Sequence, residues 1–225
     1  DVPKQIEAGK KQFAGSEIAG KTLGVIGLGA ISARIANDAY RLGMKVYGYD
    51  PYVSIEAAWN ISHHVKRVSD LKEIFENCDY ITVHVPLTPD TKGTFNADAF
   101  SLMQKGTTII NFARAELVEN DALFDALETG VVKRYITDFG TEELLNKPNV
   151  TVFPHVGGST SEAELNCAIM AAQTIRRFME TGEKKSLIRR LKDVPPVRLI
   201  VSSFFIIIVI GAVLLALPIS ARDRQ

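Results

Sequence analysis

Thr22-Leu23-Gly24-Val25-Ile26-Gly27-Leu28-Gly29-Ala30-Ile31-Ser32 is the stretch on which the fold turns. A short apolar, β-prone run meets two glycines one residue apart, and a helical pattern begins at Ala30. Glycines so spaced are weak evidence alone; between a strand and a helix they mark a dinucleotide-binding turn. Gly27 permits the tight turn. Gly29 lets the backbone approach a pyrophosphate, held where helix amides and the macrodipole favour anions. Ser32 occupies the position that packs helix against strand, so its hydroxymethyl group is expected to push the helix outward, at a cost of about 1–3 kcal/mol. The second strand ends at Asp50, 23 residues past Gly27. An acid there accepts hydrogen bonds from ribose hydroxyls and repels a 2′-phosphate, which selects NAD over NADP. Read locally, Asp50-Pro51 is also a turn opener.

The alternation continues outward. Short β-rich runs recur at 22–27, 45–49, 80–85, 107–112, 134–138 and 150–153, with helical stretches at 30–42, 69–76, 121–128 and 162–181. Strands and helices in such alternation predict an α/β fold over residues 1–182, a Rossmann-type doubly wound parallel sheet. Ser161 with Glu164 predicts a capping box at the start of the last helix. Leu165, Ile169, Ala172 and Ile175 recur at helical spacing, and Gly182 reads as its stop.

Composition divides the chain. Its 225 residues carry 26 Lys+Arg and 26 Asp+Glu, without the basic excess of a nucleic-acid binder. Residues 1–182 hold 18 basic and 23 acidic side chains, whereas 183–225 hold 8 and 3. Residues 183–198 read as a basic linker, and 199–219, LIVSSFFIIIVIGAVLLALPI, run 21 residues without a charge. A helix of about 20 residues spans ~30 Å of hydrocarbon, so this run predicts one C-terminal transmembrane helix, with a short tail at 220–225. The basic residues ahead of it place the α/β domain in the cytoplasm. Cys78 and Cys167 have neither a disulfide-framework nor a zinc spacing, which suits a reducing compartment, and both read as small core residues. His63-His64 read as solvated, His84 as structural, and no metal site is expected. A chain opening on Asp1 reads as a fragment.

Chemistry gathers in the second half. Asn111-Phe112-Ala113-Arg114 follows a strand, so Arg114 stands at a carboxyl end, where open α/β sheets bind ligands. Its guanidinium can clamp a carboxylate bidentately. His155 follows the last strand, beside Val156 and the Gly157-Gly158 pair. Asp138 and Glu143 follow another strand end, and a carboxylate beside an imidazole holds its tautomer and favours the imidazolium. A base for a hydroxyl proton, a hydride acceptor and a cation for a carboxylate are the parts that oxidising a 2-hydroxy acid requires.

GKTLGVIGLGAI, GYDPY, YITVHVPLT, NFARAELV, YITDF and FPHVGGST together resemble the nucleotide-binding domain of the D-2-hydroxyacid dehydrogenases over residues 1–182. The resemblance implies an NAD-dependent enzyme in which Arg114 holds the substrate carboxylate, His155 is the acid/base and Glu143 its acidic partner. It also implies an NAD site lined by Ala30, Ile31, Asp50, Val85, Phe112, Ala113, Arg114, Asp138, His155, Val156, Gly157 and Gly158, and a homodimer formed through this domain. Ala115-Glu116 stand where the family usually has Gly after the arginine, placing a carboxylate near Arg114. The segment that builds most of the family's substrate domain is not in this sequence, so cofactor binding is expected to outlast turnover. Residues 195–220 resemble the first membrane helix of the Trk/Ktr potassium-uptake subunits. This raises two alternatives, a membrane-tethered nucleotide-sensing module and a join of two unrelated genes.

Overall fold

The computed structural model describes residues 2–10 and 15–182. The basic linker, the uncharged run 199–219 and the tail lie outside the described residues. Among the described residues, no helix is long and apolar enough to cross a membrane.

After a short helix α1 (Val2–Gly9), the elements are β1 (Thr22–Ile26), α2 (Ala30–Arg41), β2 (Lys45–Tyr49), α3 (Ile55–Trp59), β3 (Lys66–Arg67), α4 (Leu71–Asn77) and β4 (Tyr80–Val83). There follow α5 (Ala97–Leu102), β5 (Thr107–Asn111), α6 (Asn120–Glu128), β6 (Val132–Thr137), α7 (Glu142–Leu145), β7 (Val150–Val152) and α8 (Ser161–Thr181). All seven strands are parallel, in the order β3-β2-β1-β4-β5-β6-β7. The six strands expected from sequence are present. β3 is additional: two exposed residues, Lys66 and Arg67, pair with Tyr47 and Gly48 and have no apolar run to announce them.

Strand side chains alternate between faces, so one strand feeds two cores. Leu23 and Val25 pack with Val46 and with Ala36 and Ala39 of α2. Ile26, Ile81, Val83, Ile109 and Tyr135 pack on the other face with Ile74 and Phe75 of α4, Phe100 of α5 and Leu123 of α6. Each large apolar side chain so buried contributes roughly 1.5–3 kcal/mol. Gly24 lets α4 press onto β1, because a Cβ there would lie 2.5 Å from Ile74 Cγ2 and 2.9 Å from Cys78 Sγ.

The short helices depend on their caps. The side chains of Ser54, Asp70 and Asn96 accept hydrogen bonds from Ala57, Lys72 and Ala99 N–H. The chain divides into two compact units after His155, and α8 belongs to the second. Its cap lies one residue earlier than the sequence suggests: Thr160 Oγ1 accepts from Ala163 N–H at 3.1 Å. Gly182 ends it with a left-handed φ of 68° and an N–H bonded to Phe178 O. Cys78 is buried in the core as expected and burial pushes its thiol up to about 12, whereas Cys167 on α8 is half-buried.

His84, one residue beyond β4, places Nε2 2.9 Å from Thr82 Oγ1, and burial lowers its pKa from 6.5 to about 4. The folded protein therefore binds fewer protons than the unfolded chain between these values. Stability contributed by the neutral ring is present above pH 6.5 and is lost as pH falls toward 4. Urea denaturation is expected to give a midpoint that declines across this window, with a shallower decline in His84→Gln; parallel profiles for the two proteins would contradict the assignment.

Candidate functional site

The strand order reverses between β1 and β4: the chain runs outward through β2 and β3, then returns to the other side of β1. The two connections leave in opposite directions and open a crevice at the carboxyl ends of β1 and β4. The expected catalytic and cofactor-binding residues up to His155, Glu143 excepted, sit at or just beyond a carboxyl strand end along this crest.

At the glycine turn, Gly27 has φ 87°, and a Cβ would meet Val85 Cγ1 at 2.8 Å and the His84 carbonyl at 3.0 Å. Its N–H donates to Tyr49 O at 2.8 Å. Gly29 has an ordinary extended backbone, and no atom lies within 4 Å of where its Cβ would be. The missing side chain leaves an open cradle. The amides of Ala30 and Ile31 precede the first intrahelical bond, from Ala33 N–H to Gly29 O, and so present donors at the cradle.

Ser32 corrects the expectation of overpacking. It is fully buried, its Oγ accepts from Gly29 N–H at 2.7 Å, and its hydroxyl donates to Gly29 O at 3.2 Å. The group expected to push the helix away instead satisfies one of its unpaired N-terminal donors.

Asp50 braces the same turn. Oδ2 accepts from Leu28 N–H and Oδ1 from Tyr52 N–H, both at 2.8 Å. Each carboxylate oxygen keeps a second lone pair, so the acid can still receive ribose hydroxyls.

Beyond β5, Asn111 is fully buried and organises the loop that carries Arg114. Its Oδ1 accepts from Ala113 and Arg114 N–H at 3.1 and 3.3 Å, while Nδ2 donates to Arg114 O at 2.8 Å and Tyr135 Oη at 3.2 Å. Its role has one signal in the sequence, an Asn at a strand end two and three residues ahead of the amides it binds. Arg114 itself is exposed, and among the described residues its guanidinium donates only to Ala113 O, at 2.6 Å. The neighbouring Glu116 forms no ion pair with it. Phe112 and Phe153 meet edge to face at 6.2 Å between centroids.

Beyond β6 and β7, His155 Nδ1 lies 2.9 Å from Asp138 Oδ2; the imidazole is 62% exposed and the carboxylate 10%. Phe139 tilts against the imidazole at 5.5 Å. Asp138 Oδ1 is buried and has no hydrogen-bond partner among the described residues. Glu143 stands exposed in the first turn of α7, and no hydrogen bond or ion pair joins it to His155. Val156, Gly157 and Gly158 lie in the second unit, exposed, in a turn closed by Ser159 N–H to Val156 O at 3.0 Å. His64 stacks on Tyr40 at 4.4 Å, with His63 tilted against it, well away in sequence from these groups.

Residues 2–157 match the family described as D-isomer specific 2-hydroxyacid dehydrogenase, NAD binding domain. The chain belongs to this family, and its domain is the NAD-binding one. It is 37% identical over 202 residues to D-3-phosphoglycerate dehydrogenase of Methanocaldococcus jannaschii, covering 87% of this chain and 38% of that protein. The enzyme of the same name from Homo sapiens is 41% identical over 184 residues, which cover 79% and 33% of the two chains. Among solved structures, NAD+-bound 3-phosphoglycerate dehydrogenase from Entamoeba histolytica aligns with a TM-score of 0.64 at 29% identity, covering 80% of this chain and 60% of that one. The D-mandelate dehydrogenase of Rhodotorula graminis aligns with a TM-score of 0.67 at 30% identity, over 79% and 52%. The chain thus spans about a third of the length of the curated relatives it matches.

The local geometry fits NAD: an empty cradle at Gly29, helix amides facing it, and an acid at the end of β2. Gly29→Ala introduces no clash and no strained φ, so its thermal midpoint should match the parent protein. The added methyl occupies the cradle, and NADH affinity by fluorescence titration should fall at least about tenfold, or ~1.4 kcal/mol. Equal affinity in a folded Gly29→Ala protein would remove the pyrophosphate from this turn.

Proposed function

We propose that this chain is the NAD-binding part of a dehydrogenase that oxidises the CH–OH group of a 2-hydroxy acid, with D-3-phosphoglycerate as substrate. The observation that carries this reading is a guanidinium just beyond β5 that forms no ion pair among the described residues, and a carboxylate-bound imidazole just beyond β7, on the crest that holds the Gly29 cradle. The substrate assignment is supported by relatives named D-3-phosphoglycerate dehydrogenase.

NAD, when bound, supplies the hydride acceptor. The chain's own residues bind it: Gly27, Gly29, Ala30 and Ile31 take the pyrophosphate and Asp50 the ribose. Val85, Phe112, Ala113 and Asp138 complete the proposed lining within the first unit. Arg114 orients the substrate through its carboxylate, using planar paired donors that lysine lacks. His155, with Nδ1 on Asp138, keeps Nε2 as the atom that takes the hydroxyl proton. A nucleotide sensor would need neither Arg114 nor His155.

The test joins this chain to the substrate-binding segment of a relative, in trans or by fusion. D-3-phosphoglycerate-dependent NAD reduction is expected, with kcat lower by about 10²–10⁴-fold in His155→Asn. In Arg114→Ala, loss of charge-assisted hydrogen bonds, ~1.5–3 kcal/mol each, should raise KM about ten- to a hundredfold. A folded, NADH-binding assembly inactive on every 2-hydroxy acid would refute the enzyme reading.

We also infer a membrane anchor at residues 199–219, supported by 21 uncharged residues behind a basic stretch. The chain should stay with membranes through alkaline carbonate extraction, and a chain ending at Gly182 should not; release of both would refute the anchor. Sedimentation of that shorter chain checks the dimer implied by the family resemblance.

A further inference from the structure

We propose that Arg34, one helical turn beyond the Gly29 cradle, is a phosphate-binding residue of the NAD site. This deepens the NAD reading of the glycine turn and rests on it.

At the cradle itself the chain offers backbone donors and no cation. Gly29, Ala30 and Ile31 have no polar side chain, Ser32 is buried against Gly29, and Asp50, which braces the turn, is itself an acid. A pyrophosphate carries a negative charge on each phosphate, so amide dipoles alone leave it without a counter-charge. Arg34 is the first ionisable residue of α2 and is exposed. It follows Ala30 by four positions, which puts the two on one face of the helix. Helical side chains lean toward the N-terminus and cover the turn before their own, so position 34 serves the surface of Ala30 and Ile31. The surface of α2 agrees: Ala30, Ile31, Arg34, Ile35 and Asp38 line one open hollow. Its first two residues are the ones whose amides face the cradle.

The rest of the domain makes no claim on this guanidinium. Among the described residues it forms no ion pair. The one acid of the hollow, Asp38, is engaged by Arg41, with Nη1 2.6 Å from Oδ1. The first turn of α2 contains no acid either. A cation just behind the positive end of a helix dipole is unfavourably placed, and an anion at the cradle relieves both charges together. Arginine suits that anion, because its planar paired donors match phosphate oxygens and its charge is weakly hydrated.

NADH fluorescence titration of the full chain tests this without turnover, with ADP-ribose and adenosine as competitors. Arg34→Ala removes an exposed side chain from a helix, so the thermal midpoint should match the parent protein. Its affinities for NADH and for ADP-ribose should each fall about five- to thirtyfold. Adenosine, which has no phosphate, should bind the two proteins equally. Arg34→Lys should recover part of the loss, since it keeps the charge without the paired donors. The gap between parent and Arg34→Ala should narrow as salt is raised, which a rearranged turn would not produce. Lys45→Ala removes the same charge at the opposite, amino end of β2 and should bind NADH as the parent does. Equal NADH affinity in a folded Arg34→Ala protein, or a matching loss for adenosine, would overturn the assignment; if Gly29→Ala still weakened NADH, the cradle would stand without Arg34. A parent chain that bound neither NADH nor ADP-ribose would refute the NAD site and this role with it.

Discussion

No side chain can stand at position 27. The backbone there has a positive φ, its N–H is bonded to the end of β2, and the carbonyl of His84 with the Val85 methyl fills the space where a Cβ would be. At that turn the ends of β1, β2 and β4 come together, at the point where the strand order reverses. Once β1 is locked between β2 and β4, the chain must leave it by a sharp turn, and α2 begins with its amides facing the crevice. Asp50 reinforces the arrangement by binding Leu28 N–H inside the turn. A single carboxylate therefore joins local folding to cofactor choice, and a substitution there disturbs both.

The reactive groups follow a different plan. Arg114 and His155 are exposed, yet each is governed by a buried neighbour: Asn111 ties the loop under Arg114 with three hydrogen bonds and anchors to Tyr135 with a fourth, and Asp138 holds the ring of His155. Strand ends are good sites for such pairs. The last residue of a strand can be buried and rigid while the residues just beyond it reach solvent, so order is transmitted over one or two residues without burying a charge. The exposed partner keeps its hydration until a ligand arrives, and desolvation is confined to Asp138, which has one oxygen engaged.

Much of this was legible in the residue pattern. Six strands, the glycine turn and the acid at Asp50 have signals carried by neighbouring residues: alternation, paired glycines, a fixed separation. β3 was not, because its two exposed residues are strand only through pairing with Tyr47 and Gly48. Ser32 departs from its expectation because sequence shows side-chain volume and not hydrogen-bonding opportunity; the hydroxyl folds back onto Gly29. Asp138 and Glu143 are five residues apart in one connection, and no periodicity tells which carboxylate turns toward an imidazole that arrives from a strand twelve residues further on. That answer belongs to sheet geometry, as does the role of Asn111.

The two halves of the site differ in what they need from the rest of a protein. The cradle is built by backbone within one βαβ unit and works by hydrogen-bond donors already aimed at an anion, so little further order is required to bind a pyrophosphate. Arg114 and His155 act through charge, and charge in water is weak: the same pair separation is worth about 1 kcal/mol at the dielectric of bulk water and about 4 at the value typical near a protein surface. An imidazole that is 62% exposed sits near the weak limit. Covering it would both align the substrate and raise the strength of every interaction on the crest. Binding and turnover are thus separable on physical grounds, because the first draws on geometry internal to this domain and the second on exclusion of water from it.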